Sequence, residues 1–95
     1  MKVDTEGHEM TLFLGFAEML TKERIDCIQF EYGPCWIDSR NFLFDAFKFF
    51  SPKGYLIGKI YPHQIGFFDL YDQGQENFAY ANYVAVRKTL RQYFE

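Results

Sequence analysis

The sequence lacks the features that define several common classes of protein. Its 10 Lys and Arg residues against 13 Asp and Glu residues leave a net charge of -3. This mild acidic balance argues against a protein that binds nucleic acids or anionic lipid through clustered basic residues. No apolar run approaches the roughly 18–20 residues that span a bilayer, and no signal peptide is visible at the start. We expect neither nucleic acid nor a membrane span.

Cysteine is also scarce, which limits the covalent and metal chemistry. Cys27 and Cys35 are too few for a disulfide scaffold, so we expect two thiols in a reducing compartment, the cytoplasm. There is no CxxC motif, which argues against a zinc site. A lone divalent metal on Asp4, Glu6 and His8 is an alternative, but the later ligands of a calcium loop are missing. We predict no metal site.

Aromatic residues are what the sequence has in excess. They make up 21% of the chain, as 12 Phe, 7 Tyr and 1 Trp. Each ring that is buried removes about 150–250 Å² from water, yet a domain of this size buries only about 60–65% of its unfolded surface. We therefore expect some rings at the surface, where they indicate a ligand cleft, an interface or a missing covering segment.

Hydrophobic periodicity predicts one α/β domain, residues 1–95, with the element order β-α-β-α-β-β-β. The predicted strands cover residues 1–3, 25–32, 55–61, 65–71 and 82–88. The predicted helices cover residues 8–21, with an apolar stripe of Met10, Phe13, Leu14 and Ala17, and 39–50, with Asp38 or Ser39 as N-cap. Because helices join the first three strands, we expect those strands to be parallel neighbours, followed by an antiparallel end.

The first predicted strand is unusually short. Met1–Val3 has three residues where five or six are typical. The chain thus begins as though an earlier half of the sheet were missing. We expect the edge of this strand to be solvated or to support self-association with a second molecule.

Acidic residues follow the first two predicted strands. Asp4 and Glu6 come after the first strand, and Glu31 and Tyr32 end the second. Parallel strands place such residues on one rim of the sheet, where ligands bind. Two neighbouring carboxylates raise each other's pKa, so one of them could act as a general base. The alternative is structural: Asp4 and Glu6 cap the first helix, and Glu31 is solvated.

The same residues carry a family resemblance. Lys2-Val3-Asp4-Thr5-Glu6-Gly7-His8-Glu9 and Ile28-Gln29-Phe30-Glu31-Tyr32 resemble the C-terminal half of FkbM-type methyltransferases, in which a K-x-D-x-E-G-x-E run follows a strand. Gly54-Tyr55-Leu56 and Asn82-Tyr83-Val84-Ala85-Val86 are similar to the closing strands of that family. The resemblance implies a partial Rossmann-like sheet, whose last strand inserts antiparallel. It also implies S-adenosylmethionine as cofactor and a small hydroxyl acceptor (a sugar, lipid or secondary metabolite).

The resemblance also implies roles for individual residues. Asp4 would lie near the transferring methyl group, as a base or as a negative charge beside the sulfonium, with Glu6 and Glu31 as further catalytic carboxylates. Tyr32 or Trp36 would face the sulfonium or the substrate. The family's glycine-rich loop and ribose-binding acid do not occur in this sequence. We therefore expect the isolated chain neither to bind the cofactor usefully nor to turn over.

A second hypothesis explains the aromatic residues instead. The chain could be a non-catalytic binding or interaction module, whose rings stack on a carbohydrate or pack on a protein partner. The candidate rings are Trp36, Tyr61, Tyr71, Tyr80 and Tyr83. Ordinary packing in the core is the alternative for these rings.

Overall fold

The computed structural model describes residues 2–3, 9–15, 17 and 25–93. These residues form a small mixed α/β domain on a five-stranded sheet with the spatial order β1-β2-β5-β3-β4. The strands are β1 (Lys2–Val3), β2 (Cys27–Tyr32), β3 (Tyr55–Tyr61), β4 (Gln64–Phe68) and β5 (Ala81–Arg87). Within the described residues, β1 pairs with β2 alone and forms one edge of the sheet.

The position of β5 determines the topology. It pairs antiparallel with β2 on one side and with β3 on the other, so β2 and β3 run in the same direction without touching. The parallel pairing of β1 with β2 and the antiparallel end are confirmed, but the single helix predicted between β2 and β3 is two separate helices. The expectation that β3 would be a parallel neighbour of β2 is wrong. Tyr83 to Val86 are buried on both faces of β5, which suits a central strand.

Among the described residues, three helices cover one face of the sheet: α1 (Glu9–Gly15), α2 (Cys35–Asp38) and α3 (Leu43–Phe50). The predicted helix from Ser39 is wrong, because Ser39 ends α2 and Arg40 adopts a left-handed backbone with φ 59°. The N-cap of α3 is Phe42. The predicted end at residue 50 is confirmed: a 3₁₀ turn, Ser51–Lys53, follows it and closes on Gly54 at φ 87°.

Aromatic rings fill the space between the helices and the sheet. The ring of Phe13 from α1 lies 5.2 Å from that of Phe30 on β2 and 4.9 Å from that of Phe50 on α3. Phe50 in turn packs on Tyr55 of β3. Leu14, predicted to join the apolar stripe of α1, is instead 65% exposed. None of the described helices is long and apolar enough to cross a membrane.

Candidate functional site

The candidate site lies at the edge of the sheet where β2 and β3 end and β5 begins, which we call the carboxyl rim. Glu31 and Tyr32 close β2 here, and Ala81 opens β5 beside Tyr32. The segment between β4 and β5, residues 69–80, folds over this rim and against the start of α3. Open α/β sheets bind their ligands at this edge.

Of the three predicted carboxylates, only Glu31 lies in the described part of the chain. Asp4 and Glu6 fall outside it, so their predicted proximity to Glu31 stays a prediction. The Glu31 carboxylate accepts a hydrogen bond from the Tyr80 hydroxyl at 2.5 Å, on the exposed side of the rim. Tyr80 itself is 68% exposed. Glu31 is thus a surface carboxylate with an aromatic partner.

Tyr32 and Trp36, predicted to contact substrate, are both interior residues of the described structure. Trp36 is 2% exposed and donates its indole N–H to the Glu31 carbonyl at 3.0 Å. Tyr32 is 1% exposed, and its ring packs against those of Trp36 and Phe78. Substrate contact by either ring stays a prediction, and both rings already serve as packing between the rim and the helices.

The central polar group beneath the rim is the carboxylate of Glu76. Its Oε2 accepts the Tyr32 hydroxyl at 2.6 Å and the Leu43 N–H at 2.7 Å. Its Oε1 accepts the Tyr71 hydroxyl at 2.8 Å and the Phe44 N–H at 2.9 Å. One side chain therefore ties together β2, the start of α3 and its own loop.

This arrangement supplies hydrogen-bond acceptors for the first backbone N–H groups of helix α3. A helix begins with N–H groups that have no partner inside it, and an N-cap side chain with an oxygen normally accepts from one of them. Phe42 has no such oxygen, so Glu76 supplies the cap from 33 positions away. Asp45 completes it by accepting the backbone N–H of Phe42 at 2.8 Å. The negative charge also suits the positive end of the helix dipole.

The hydrogen bonds alter the acidity of the groups involved. Burial alone would raise the pKa of Glu76, but the hydroxyl of Tyr32, the two backbone N–H groups and the hydroxyl of Tyr71 together hold it below its usual range. Burial and the bond to Glu76 raise the pKa of Tyr71 to about 12. The same causes raise the pKa of Tyr32 further. At neutral pH the network therefore holds one carboxylate and two neutral phenols.

A groove with a volume of about 700 Å³ opens beside this network. Its lining consists of three aromatic, two acidic and one amide side chain: Phe42, Phe44, Tyr71, Asp72, Gln73 and Glu76. Phe42 and Phe44 are 50% and 48% exposed, and Phe44 meets Tyr71 edge to face at 5.1 Å. The expectation of rings at the surface is confirmed.

A short turn fixes the outer wall of the groove. Asp72 begins the 3₁₀ turn Gln73–Gln75, and its Oδ1 accepts the Gly74 N–H at 3.1 Å. The Gln75 side-chain oxygen accepts the Asp72 N–H at 3.1 Å in return. This D-x-x-Q capping box is a local signal that the sequence analysis missed. Glu76, whose partners are far along the chain, gives no such local signal.

The described residues include no group of three or more His, Cys, Asp or Glu side chains placed to hold a metal ion. Comparison of the chain with protein-family models, with curated proteins and with solved structures found no match.

Proposed function

We propose that this chain is the C-terminal portion of an S-adenosylmethionine-dependent O-methyltransferase. The observation that carries the proposal is the antiparallel insertion of β5 between β2 and β3, which run in the same direction. A last strand inserted in this way is what the resemblance to FkbM-type methyltransferases implies. The parallel pair of β1 with β2 adds support.

The acidic residues at or after the ends of the first two strands in the sequence suit the acceptor side of such a reaction. Asp4 and Glu6 follow β1 in the sequence, and Glu31 is the last residue but one of the neighbouring strand β2. We propose Asp4 as the base that takes the proton of an acceptor hydroxyl, with Glu6 and Glu31 contributing negative charge nearby. The acceptor is a small hydroxyl compound of the sugar, lipid or secondary-metabolite classes.

The residues present do not fit the cofactor by themselves. The two rings that could face its sulfonium, Tyr32 and Trp36, are 1% and 2% exposed, so neither offers a free face. The glycine-rich turn and the ribose-binding acid of the family do not occur in the sequence. We propose that an intact enzyme takes its cofactor site from elements other than these 95 residues.

The thiols suit a reducing compartment, and we propose the cytoplasm. Cys27 and Cys35 carry no disulfide, and Cys35 is exposed. Burial raises the pKa of Cys27, which keeps that thiol protonated at neutral pH. Neither thiol is part of the proposed chemistry.

Two measurements test this proposal. Calorimetric titration of the 95-residue chain with S-adenosylmethionine should show no binding. A Kd below about 100 μM, which corresponds to a binding free energy of over about 5 kcal/mol, would overturn the half-enzyme proposal. In a fusion with the N-terminal half of a family methyltransferase, Asp4→Asn should lower kcat by about 10²–10⁴-fold at unchanged Tm. Equal activity of that variant would remove Asp4 from the mechanism and leave it as a helix cap.

The second candidate, a non-catalytic aromatic binding module, is favoured by one observation: Tyr61 and Tyr80 are 42% and 68% exposed. Of its other candidate rings, Tyr71 is partly buried, and Trp36 and Tyr83 belong to the core. Titration with simple and oligomeric sugars, followed by tyrosine fluorescence, tests it. Saturable binding that Tyr80→Ala abolishes would favour this candidate over the methyltransferase.

A further inference from the structure

We propose that the groove beside Glu76 binds an organic cation of the quaternary-ammonium or methylated-amine class. The inference is independent of methyl transfer and concerns a second site on the molecule. The volume of about 700 Å³ lies within the roughly 300–1,000 Å³ of ordinary ligand sites. The cation would occupy the space between the aromatic rings and the acidic turn at residue 72.

The aromatic part of the lining is suited to a soft, weakly hydrated cation. Phe42, Phe44 and Tyr71 border the groove, and the first two leave about half of their surface to solvent. The edge-to-face contact of Phe44 with Tyr71, at an interplanar angle of 67°, gives two walls in different orientations. A cation within about 6 Å of a ring centroid is attracted by the ring's negative face.

The charge of the lining also favours a cation. The residues that line the groove include two acids, Asp72 and Glu76, and neither Lys nor Arg. Asp72 is exposed, and Glu76, whose pKa is held below its usual range, is half-buried. A positive ligand gains from both charges, and an anionic ligand such as a phosphate ester is repelled.

The hydrogen bonds distinguish a cation from a neutral sugar. A sugar hydroxyl needs a free acceptor, but each Glu76 oxygen already accepts two hydrogen bonds. Asp72 accepts the Gly74 N–H through Oδ1 alone, so a sugar could hydrogen-bond at the turn but not at Glu76. Coulombic attraction needs no free lone pair, so these carboxylates still attract a cation that they could not hydrogen-bond.

The experiment uses choline and its uncharged isostere, 3,3-dimethylbutan-1-ol, with the 95-residue chain at constant ionic strength. Binding is followed by NMR shifts of the Phe44 and Tyr71 rings. We expect saturable shifts with choline and binding of the isostere weaker by about two- to fivefold or more. Asp72→Asn keeps the oxygen that caps Gly74 but loses the charge, and it should weaken choline binding by about the same factor.

Two matched variants complete the test. Phe44→Leu should abolish the saturable shift of the Tyr71 ring. Tyr93 is exposed and does not line the groove, so Tyr93→Leu should leave choline binding unchanged. Equal binding of choline and its isostere, or stronger shifts with methyl glucoside, would overturn the proposal. The absence of any ring shift at saturating choline would overturn it too. A lack of methyltransferase activity has no bearing on any of these outcomes.

Discussion

The hydroxyl of Tyr32 donates to the Glu76 carboxylate at 2.6 Å, although the two residues are 44 positions apart in the chain. The same hydroxyl accepts the backbone N–H of Phe78 at 2.9 Å. A strand end, a helix start and a loop thus meet at one pair of side chains.

Glu76→Gln should lower the free energy of unfolding by about 1.5–3 kcal/mol. The amide has one acceptor oxygen where the carboxylate has two, so its NH₂ group would face two donors and leave them without partners. Chemical denaturation measures the difference. Asp38→Asn, at an exposed acid of α2, is the matched control and should stay within about 0.5 kcal/mol of the parent. A similar cost at both positions would mean that the network contributes no particular stability.

The contribution of Glu76 should depend on pH in a defined direction. Its pKa in the folded state is lowered from 4.5, so the stabilisation is complete above that pH and is lost as the pH falls through the folded-state pKa. The gap in free energy of unfolding between the parent chain and Glu76→Gln should be constant above about pH 5. It should narrow in more acidic solution, because the parent loses the carboxylate. Urea denaturation of both chains from pH 7 to pH 3 measures this gap, and a gap that widens in acid would contradict the prediction.

Tyr32→Phe should cost more stability than Tyr71→Phe. The Tyr32 hydroxyl is in a side chain only 1% exposed and has two partners, Glu76 and the Phe78 N–H. Its removal leaves the Phe78 N–H without that partner and takes one of two hydrogen bonds from Glu76 Oε2, at about 1–3 kcal/mol. Tyr71 has the single bond to Glu76 and is partly open to water, so about 0.5–1.5 kcal/mol is expected. Thermal and urea denaturation of the two variants compare the losses in free energy of unfolding. A larger loss for Tyr71→Phe than for Tyr32→Phe would contradict this network.

Gly58→Ala should destabilise the hairpin of β3 and β4. A Cβ atom there would lie 2.6 Å from Ile65 Cγ2 and 2.9 Å from Phe67 Cδ1, so the side chains of β4 must shift. Overpacking of this kind costs about 1–3 kcal/mol. Gly15→Ala is the control, because nothing lies within 4 Å of the added atom and alanine favours a helix by about 0.5–1 kcal/mol. We expect Gly58→Ala to lower Tm and Gly15→Ala to raise it. A Gly58→Ala chain with a higher Tm than the parent would contradict the packing of the hairpin.

The sequence predicted the strands well because their signals are local. Alternating apolar residues and the turns at Gly33-Pro34 and Pro62-His63 located β2, β3 and β4 to within a few residues. The sheet order was harder, because the local pattern near residue 81 does not show where β5 pairs, and only the family resemblance implied its antiparallel insertion. That position follows from burial on both faces of β5, a property of the assembled sheet.

The start of α3 and the groove could not be predicted from local patterns. Asp38 and Ser39 are good N-cap residue types, yet the helix begins at Leu43 because Arg40 turns the chain and Glu76 supplies the cap from a distant loop. The groove joins residues 42–44 to residues 71–76, and only the folded chain brings them together. Asp4 and Glu6 remain predictions from sequence.

The central place of β5 has a consequence for synthesis of the protein. Of the five described strands, it is the last to leave the ribosome, yet β2 and β3 meet only through it. Until residues 81–87 emerge, the nascent chain carries two strand edges with unsatisfied backbone groups beside a set of uncovered aromatic rings. Such non-local pairing also slows folding. The sheet can therefore be completed only once residues 81–87 are available, and until then these edges are open to wrong pairing.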